Sequence, residues 1–341
     1  MMYNHIMLNE VKNYQSKLNL IETEIAIKFI KDNFEKDLAK KLGLVRVSAP
    51  LFVEHSSGLN DGLNGTEEPV SFKSPFNDEN IEIVHSLAKW KRMALKKYEI
   101  TTHKGIYTDM NAIRKDEETL DNIHSIYVDQ WDWEIVIDKN DRNLKTLYNV
   151  VRKIYSVLKQ LERKVNNKYQ VFSNKLPKNI HFITSSKLLS LYPDKTSKER
   201  EYLITKEYGA VFISKIGYKL KDKRPHDLRA ADYDDWNLNG DILVYDSILD
   251  TALELSSMGI RVSEKSIIKQ LKEKNEEYKL NDSPFVKDIV NQNLPYTMGG
   301  GIGQSRLCMF FLEKAHIGEV QSSIWSDEDK EKLSKLNIKL L

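Results

Sequence analysis

Apolar residues recur at three- to five-residue steps at Leu8, Val11, Leu18, Ile21, Ile25, Phe29, Phe34, Leu38 and Leu42. That spacing gathers them on one helical face and predicts an amphipathic helix, broken or continuous, ending at Gly43. Leu44 to Val53 reads as a strand interrupted by Pro50, and His55 to Gly65, with three glycines and three Asn or Asp residues, as a loop. A short strand is predicted at Ile81 to Val84, and then a helix capped by Ser86 that carries Lys89, Lys91 and Arg92. Strands at Gly105 to Met110 and Ser125 to Glu134 flank a polar loop, Lys115 to Ile123. From Asn143 to Lys168, Leu144, Leu147, Val151, Ile154, Leu158, Leu161 and Val165 share one face of a long helix.

Further strands are predicted at His181 to Thr184, Ala210 to Ile216, Gly240 to Tyr245 and Leu253 to Val262, with a charged helix at Ser263 to Tyr278. A glycine-rich turn, Gly299 to Gly303, precedes an apolar helix, and Gly318 to Trp325 reads as a last strand. Strands and helices mix without a regular βα alternation, an internal repeat or a linker, which points to an α+β fold. One catalytic domain over 1–341 is expected, with about 1–10 as an N-terminal extension.

Charge narrows the classes. The chain has 52 basic and 50 acidic residues, net +2, without the basic excess that non-specific nucleic-acid binding favours. The single cysteine, Cys308, forbids an intramolecular disulfide and sits in the apolar run Leu307 to Leu312, so a buried structural thiol is expected. No apolar run approaches the ~20 residues of a membrane span, and Met1 to Glu10 has no secretory pattern. A cytoplasmic protein without membrane or nucleic-acid partners is expected.

Three segments carry chemistry. In TMGGGIGQSRLCMFFL (Thr297 to Leu312), glycines permit close backbone approach, and a helix N-terminus with Arg306 near it suits a nucleotide. A tight turn is the competing reading. In Tyr107 to Glu134, Arg114 ends one strand, and alternation puts Gln130, Asp132 and Glu134 on one face of the returning strand, with Asp129, Trp131 and Trp133 on the other. An arginine opposite such polar residues could hold a phosphate beside a small zwitterion; a solvated polar face is the alternative. In Gly240 to Val262, Asp241 and Glu254 fall on successive strands, as a Mg²⁺ pair would, or as surface salt-bridge partners would. Arg261 follows, past a bulge expected around Ser256, Ser257 and Gly259.

Together these segments resemble the signature motifs of class II aminoacyl-tRNA synthetases, and more closely those of ammonia-dependent asparagine synthetases. The matching runs are VHSLAKWKR (Val84 to Arg92), HSIYVDQWDWE (His124 to Glu134), RAADYDDW (Arg229 to Trp236), LNGDILVYD, ELSSMGIRV and GGGIGQSRL. They span about Leu20 to Trp325; the link Asn237 to Asn239 looks short for the family. The resemblance implies a central, mainly antiparallel sheet flanked by helices. It implies that aspartate, ATP and ammonia give asparagine, AMP and diphosphate through a β-aspartyl-adenylate.

The resemblance also assigns residues. Arg114 would neutralise the α-phosphate and Arg306 grip the phosphates or base; Asp234, Ser256, Gly301 and Gly303 would line the nucleotide site. Asp241 and Glu254 would hold Mg²⁺. Lys91 and Ser86 would contact amino acid or phosphate, and Gln130, Asp132, Asp234, Ser257 and Arg261 the aspartate, Arg261 through its α-carboxylate. Asp61 would bind or deprotonate ammonium, and Asp234 and Asp235 would both line the same site. A homodimer is implied, with the first helix and Pro50 near its interface. Glutamine is not expected as the amide donor: that chemistry uses a nucleophilic cysteine, and the chain begins Met1-Met2-Tyr3 with Cys308 in an apolar helix. A tRNA-charging core and a non-catalytic nucleotide- or amino-acid-binding paralogue are the competing functions. The presence of Arg114, Asp241, Glu254 and Arg306 argues against the latter.

Overall fold

The structure, a computed structural model, describes residues 10–63, 67–75, 77–117 and 120–341. Most of the expected N-terminal extension (1–9), the end of the 55–65 loop (64–66) and two positions of the 115–123 loop (118 and 119) lie outside the described residues.

Eight strands form the main sheet, in the order β1 (Leu44–Arg46), β5 (Gly105–Ile113), β6 (Tyr127–Val136), β11 (Thr297–Gly303), β10 (Thr251–Arg261), β9 (Asp234–Asp246), β8 (Ala210–Ser214) and β7 (His181–Thr184). Pairing is antiparallel from β5 to β8 and parallel only at the two edges, β1 with β5 and β7 with β8. A small separate sheet pairs β2 (Phe52–Glu54), β4 (Asn77–Ile83) and β3 (Ser71–Ser74). The helices are α1 (Leu20–Leu42), α2 (Ala88–Lys97), α3 (Leu144–Tyr169), α4 (Ser185–Leu191), α5 (Ser197–Tyr208), α6 (Glu264–Lys274), α7 (Lys279–Asp282), α8 (Pro284–Val290), α9 (Gln304–Phe311) and α10 (Asp327–Lys335). This is the expected α+β class.

One face of the sheet holds the main core. Phe34 and Leu38 of α1, Leu147, Val151, Ile154 and Leu158 of α3, and Leu307 and Phe310 of α9 pack with Trp131 and Trp133 of β6. Phe34 and Trp131 meet with ring centroids 4.8 Å apart. Because strand side chains alternate, burying these tryptophans beneath the sheet turns Gln130 and Asp132 to its other face. α6 and α8 build a second core on Trp236, and α4 and α5 a third against β7 and β8.

Several boundaries differ from the sequence expectations, each for a local reason. α1 starts at Leu20, because Asn19 and Glu22 close a capping box; Val11 and Leu18 pack on the core from irregular chain. Gly43, at φ 70°, ends it as expected. The strand foreseen across Leu44 to Val53 is two strands in different sheets, β1 and β2, with Pro50 between them. Ser86 lies one residue before the cap position, which Leu87 occupies; its hydroxyl accepts from the Ala88 N–H at 3.3 Å, as a cap would, and donates to Asp61. Asn237 to Asn239 lies inside the continuous strand β9, and Gly318 to Trp325 holds a short 3-10 turn rather than a strand.

The largest correction concerns the glycine run. Gly299 to Gly303 is not a turn but most of β11, a central strand between β6 and β10. Its neighbours occupy the space that side chains would need. A Cβ at Gly299 would fall 1.9 Å from Glu134 Oε2, and one at Gly301 2.2 Å from Gln130 Oε1.

Candidate active site

The sheet face opposite the main core opens into a cavity of about 440 Å³. Its floor is β6, β11 and β10. The residues just before α2 and the loop around Asp61 form one wall; Arg114, at the end of β5, and Arg306, at the start of α9, form the far side. Of the residues expected in the site, Asp61, Ser86, Lys91, Arg114, Gln130, Asp132, Asp234, Glu254, Ser256, Ser257, Arg261, Gly301, Gly303 and Arg306 all line this one cavity.

The amino-acid end is built on Lys91 and Asp132. Lys91 Nζ lies 2.8 Å from Asp132 Oδ2 and donates to the Gly300 carbonyl at 3.0 Å, leaving one of its three N–H groups. Asp132 Oδ1 is buried without a hydrogen-bond partner among the described residues. A buried cation and a half-satisfied carboxylate side by side complement a small zwitterion.

Arg261 is placed as expected, but its fork is largely occupied. Nε and Nη2 grip Glu134, the latter at 2.6 Å, and Nη1 donates to Asp234 at 2.6 Å. Two of its five N–H groups remain for a ligand. Burial pushes the Glu134 carboxyl up, but the charge and hydrogen bonds of Arg261, with help from Lys91 and Thr297, hold it below the ordinary range. For Asp234 burial outweighs Arg261, and its carboxyl is raised. Glu134 is therefore a site-building residue that the sequence reading put on the right face without giving it a role. Asp235 is not in the site: neighbours on a strand point oppositely, and it pairs with Arg142 at 2.9 Å.

Asp61 accepts from the Ser86 hydroxyl at 2.7 Å and from the Leu63 N–H at 2.9 Å. Burial raises its carboxyl, partly offset by Lys89 and Ser86.

At the other end, Arg306 donates to the carbonyls of Glu254 at 3.2 Å and Ile123 at 3.4 Å. The Arg114 Nε is buried without a hydrogen-bond partner among the described residues. Neither guanidinium pairs with a carboxylate among the described residues, so two positive charges face the cavity. The Ser256 hydroxyl is tied to the Gly301 carbonyl at 2.8 Å.

Asp241 departs from expectation. It stands opposite Ser257 on the neighbouring strand but does not line the cavity, because Arg229 reaches in and binds its Oδ2 while also holding Asp227 at 2.8 Å. Burial, opposed by Arg229 and reinforced by Glu254, pushes the Asp241 carboxyl up to about 7. The bulge between Glu254 and Ser256 changes the facing of these positions, as the serines suggested. Arg229 opens the run RAADYDDW, yet nothing in its spacing marked it as a bridge between two carboxylates. Cys308 is buried and its thiol is pushed up to about 12, which removes it as a nucleophile.

Comparison with known proteins places this geometry. A family model described as aspartate-ammonia ligase matches residues 21–337. The aspartate–ammonia ligase of Fusobacterium nucleatum is 60% identical over 96% of this chain and 99% of its own length. That of Mycoplasmoides gallisepticum is 56% identical over 95% and 99%. Among solved structures, asparaginyl-tRNA synthetase from Pyrococcus horikoshii complexed with asparaginyl-adenylate superposes with a TM-score of 0.64 at 14% identity, over 89% of this chain and 70% of that one. The fold is that of a class II aminoacyl-tRNA synthetase catalytic core.

Proposed function

The chain belongs to the aspartate–ammonia ligase family, and we propose that it makes asparagine through a β-aspartyl-adenylate assembled between Lys91–Asp132 and Arg114–Arg306. The observation that carries this is the polarity of one cavity: a zwitterion-binding pair at one end and, at the other, two arginines without carboxylate partners among the described residues.

A carboxylate resists amidation because its leaving group would be oxide. Aspartate binds with its ammonium on Asp132 and its α-carboxylate on the remaining N–H groups of Arg261, with Gln130 and Ser257 beside it. Its β-carboxylate then points toward the arginines. A β-carboxylate oxygen attacks the α-phosphorus of ATP, and the bond to the β-phosphate breaks, releasing diphosphate. Arg114 neutralises the charge that builds on the α-phosphate, and Arg306 holds the nucleotide over Gly301 and Gly303; positioning and charge neutralisation do most of the work. Ammonia, delivered past Asp61, attacks the β-carbonyl carbon, and the proton its nitrogen loses passes to the Asp61 carboxylate. The carbon–oxygen bond breaks and AMP departs.

Mg²⁺ would be held by Glu254, which borders the cavity, with Asp241 behind it able to add only Oδ1, which has no partner among the described residues, while Arg229 holds Oδ2. There the ion would neutralise triphosphate charge.

The chain acts as one catalytic unit in the cytoplasm and as a homodimer. Exposed Phe52 and Phe72 form an edge-to-face pair with centroids 5.6 Å apart, and Val45 and Leu51 are exposed apolar residues on the flanking chain. Such side chains mark association surfaces.

The test is to incubate the protein with aspartate, Mg²⁺-ATP and ammonium. Equal amounts of asparagine, AMP and diphosphate are expected; ADP in place of AMP would refute the adenylate.

A further inference from the structure

His85 lines the cavity beside Asp61 and has no part in the reaction as described so far. It is 1% exposed. Two hydrogen bonds fix it: its backbone N–H donates to Asn60 Oδ1 at 2.9 Å, and its Nδ1 lies 3.0 Å from the Asp61 carbonyl oxygen. A carbonyl only accepts, so Nδ1 carries the ring proton and Nε2 carries a lone pair. That Nε2 is buried with no hydrogen-bond partner among the described residues. Among the described residues, each Asp61 oxygen accepts one hydrogen bond, and a carboxylate oxygen can accept another.

Nε2 and the two Asp61 oxygens thus present acceptors on this wall. The reacting ends of aspartate and ATP are themselves acceptors and gain nothing from it. Ammonium has four N–H donors and a positive charge, and it matches an imidazole lone pair beside a carboxylate. We propose that His85 Nε2 and the Asp61 carboxylate together form the subsite that receives the ammonium cosubstrate. The assignment rests on the ligase reading, which is what brings a third, nitrogen-donating substrate into the cavity. An all-acceptor site also favours ammonium over water. That matters because water attacking the adenylate returns aspartate while ATP is consumed.

The two half-reactions separate this role from a structural one. Diphosphate–ATP exchange needs aspartate but no ammonium; asparagine formation needs all three substrates. His85→Asn keeps an amide donor where Nδ1 faces the Asp61 carbonyl but has no atom at the Nε2 position. His85→Gln puts an amide oxygen near the Nε2 position. For His85→Asn, the ammonium KM should rise about ten-fold or more, the scale of one lost hydrogen bond to a charged group. Its aspartate and ATP KM values should stay within about two-fold, and AMP should form in excess of asparagine. His85→Gln should recover most of the ammonium affinity. An unchanged ammonium KM in His85→Asn, or equal losses in all three KM values and in exchange, would overturn the subsite. If the parent protein shows no aspartate-dependent exchange, the ligase reading fails instead, and the subsite with it.

Discussion

Lys91 Nζ and Asp132 Oδ2, 2.8 Å apart in a buried site, carry the amino-acid specificity of this account. Asp132→Asn removes the charge that meets the substrate ammonium and leaves Lys91 without its anion. The aspartate KM should rise at least about a hundred-fold, since hydrogen bonds to charged groups contribute roughly 1.5–3 kcal/mol each; steady-state kinetics with aspartate varied is the check. Gly301→Ala tests the floor. Its Cβ would meet Gln130 Oε1 at 2.2 Å and Asp132 Oδ1 at 2.9 Å, so both must shift. Turnover should fall about ten-fold or more while circular dichroism stays unchanged, because small misplacements of positioning groups are costly. Cys308 should be inert. With its thiol pushed up to about 12, a thiol reagent at pH 8 should label the folded chain at least about a hundred-fold more slowly than the unfolded one.

At the scale of elements, the Glu134–Arg261–Asp234 cluster ties β6, across β11, to β10 and β9. Glu134 has a lowered carboxyl in the folded state, so its contribution is present above the ordinary carboxylate value and is lost as pH falls through the lower folded one. Melting temperature should therefore drop below about pH 4. Glu134→Gln should flatten that drop while costing about 3–5 kcal/mol at neutral pH, because it leaves a buried guanidinium short of a partner. Melts from pH 3 to 7 would show both.

These same strands mark what the sequence could reveal. The alternation of Gln130, Asp132 and Glu134 against Trp131 and Trp133 was legible, because one face had to be buried. The glycines of β11 were not legible as a strand: what demands them is Glu134 and Gln130, remote in sequence and adjacent only once the sheet forms. Arg229, which takes up Asp241, escaped notice for the same reason. That the Nε2 of His85 has no partner among the described residues is likewise a property of three-dimensional surroundings, not of its run VHSLAKWKR.

At the scale of the whole molecule, an exposed aromatic pair on the small sheet points to a second copy of the chain. Light scattering should give twice the chain mass, and Phe52→Asp should shift the protein toward monomer with its far-ultraviolet spectrum intact. A monomeric parent would remove the dimer from the account.

The central claim is that the β-carboxylate of aspartate becomes bonded to the α-phosphorus of ATP in this cavity. The direct measurement is a turnover with aspartate carrying ¹⁸O in its β-carboxylate, followed by mass spectrometry of the products. One labelled oxygen should appear in the phosphate of AMP and none in the diphosphate. Label in inorganic phosphate or diphosphate, with AMP unlabelled, would contradict it.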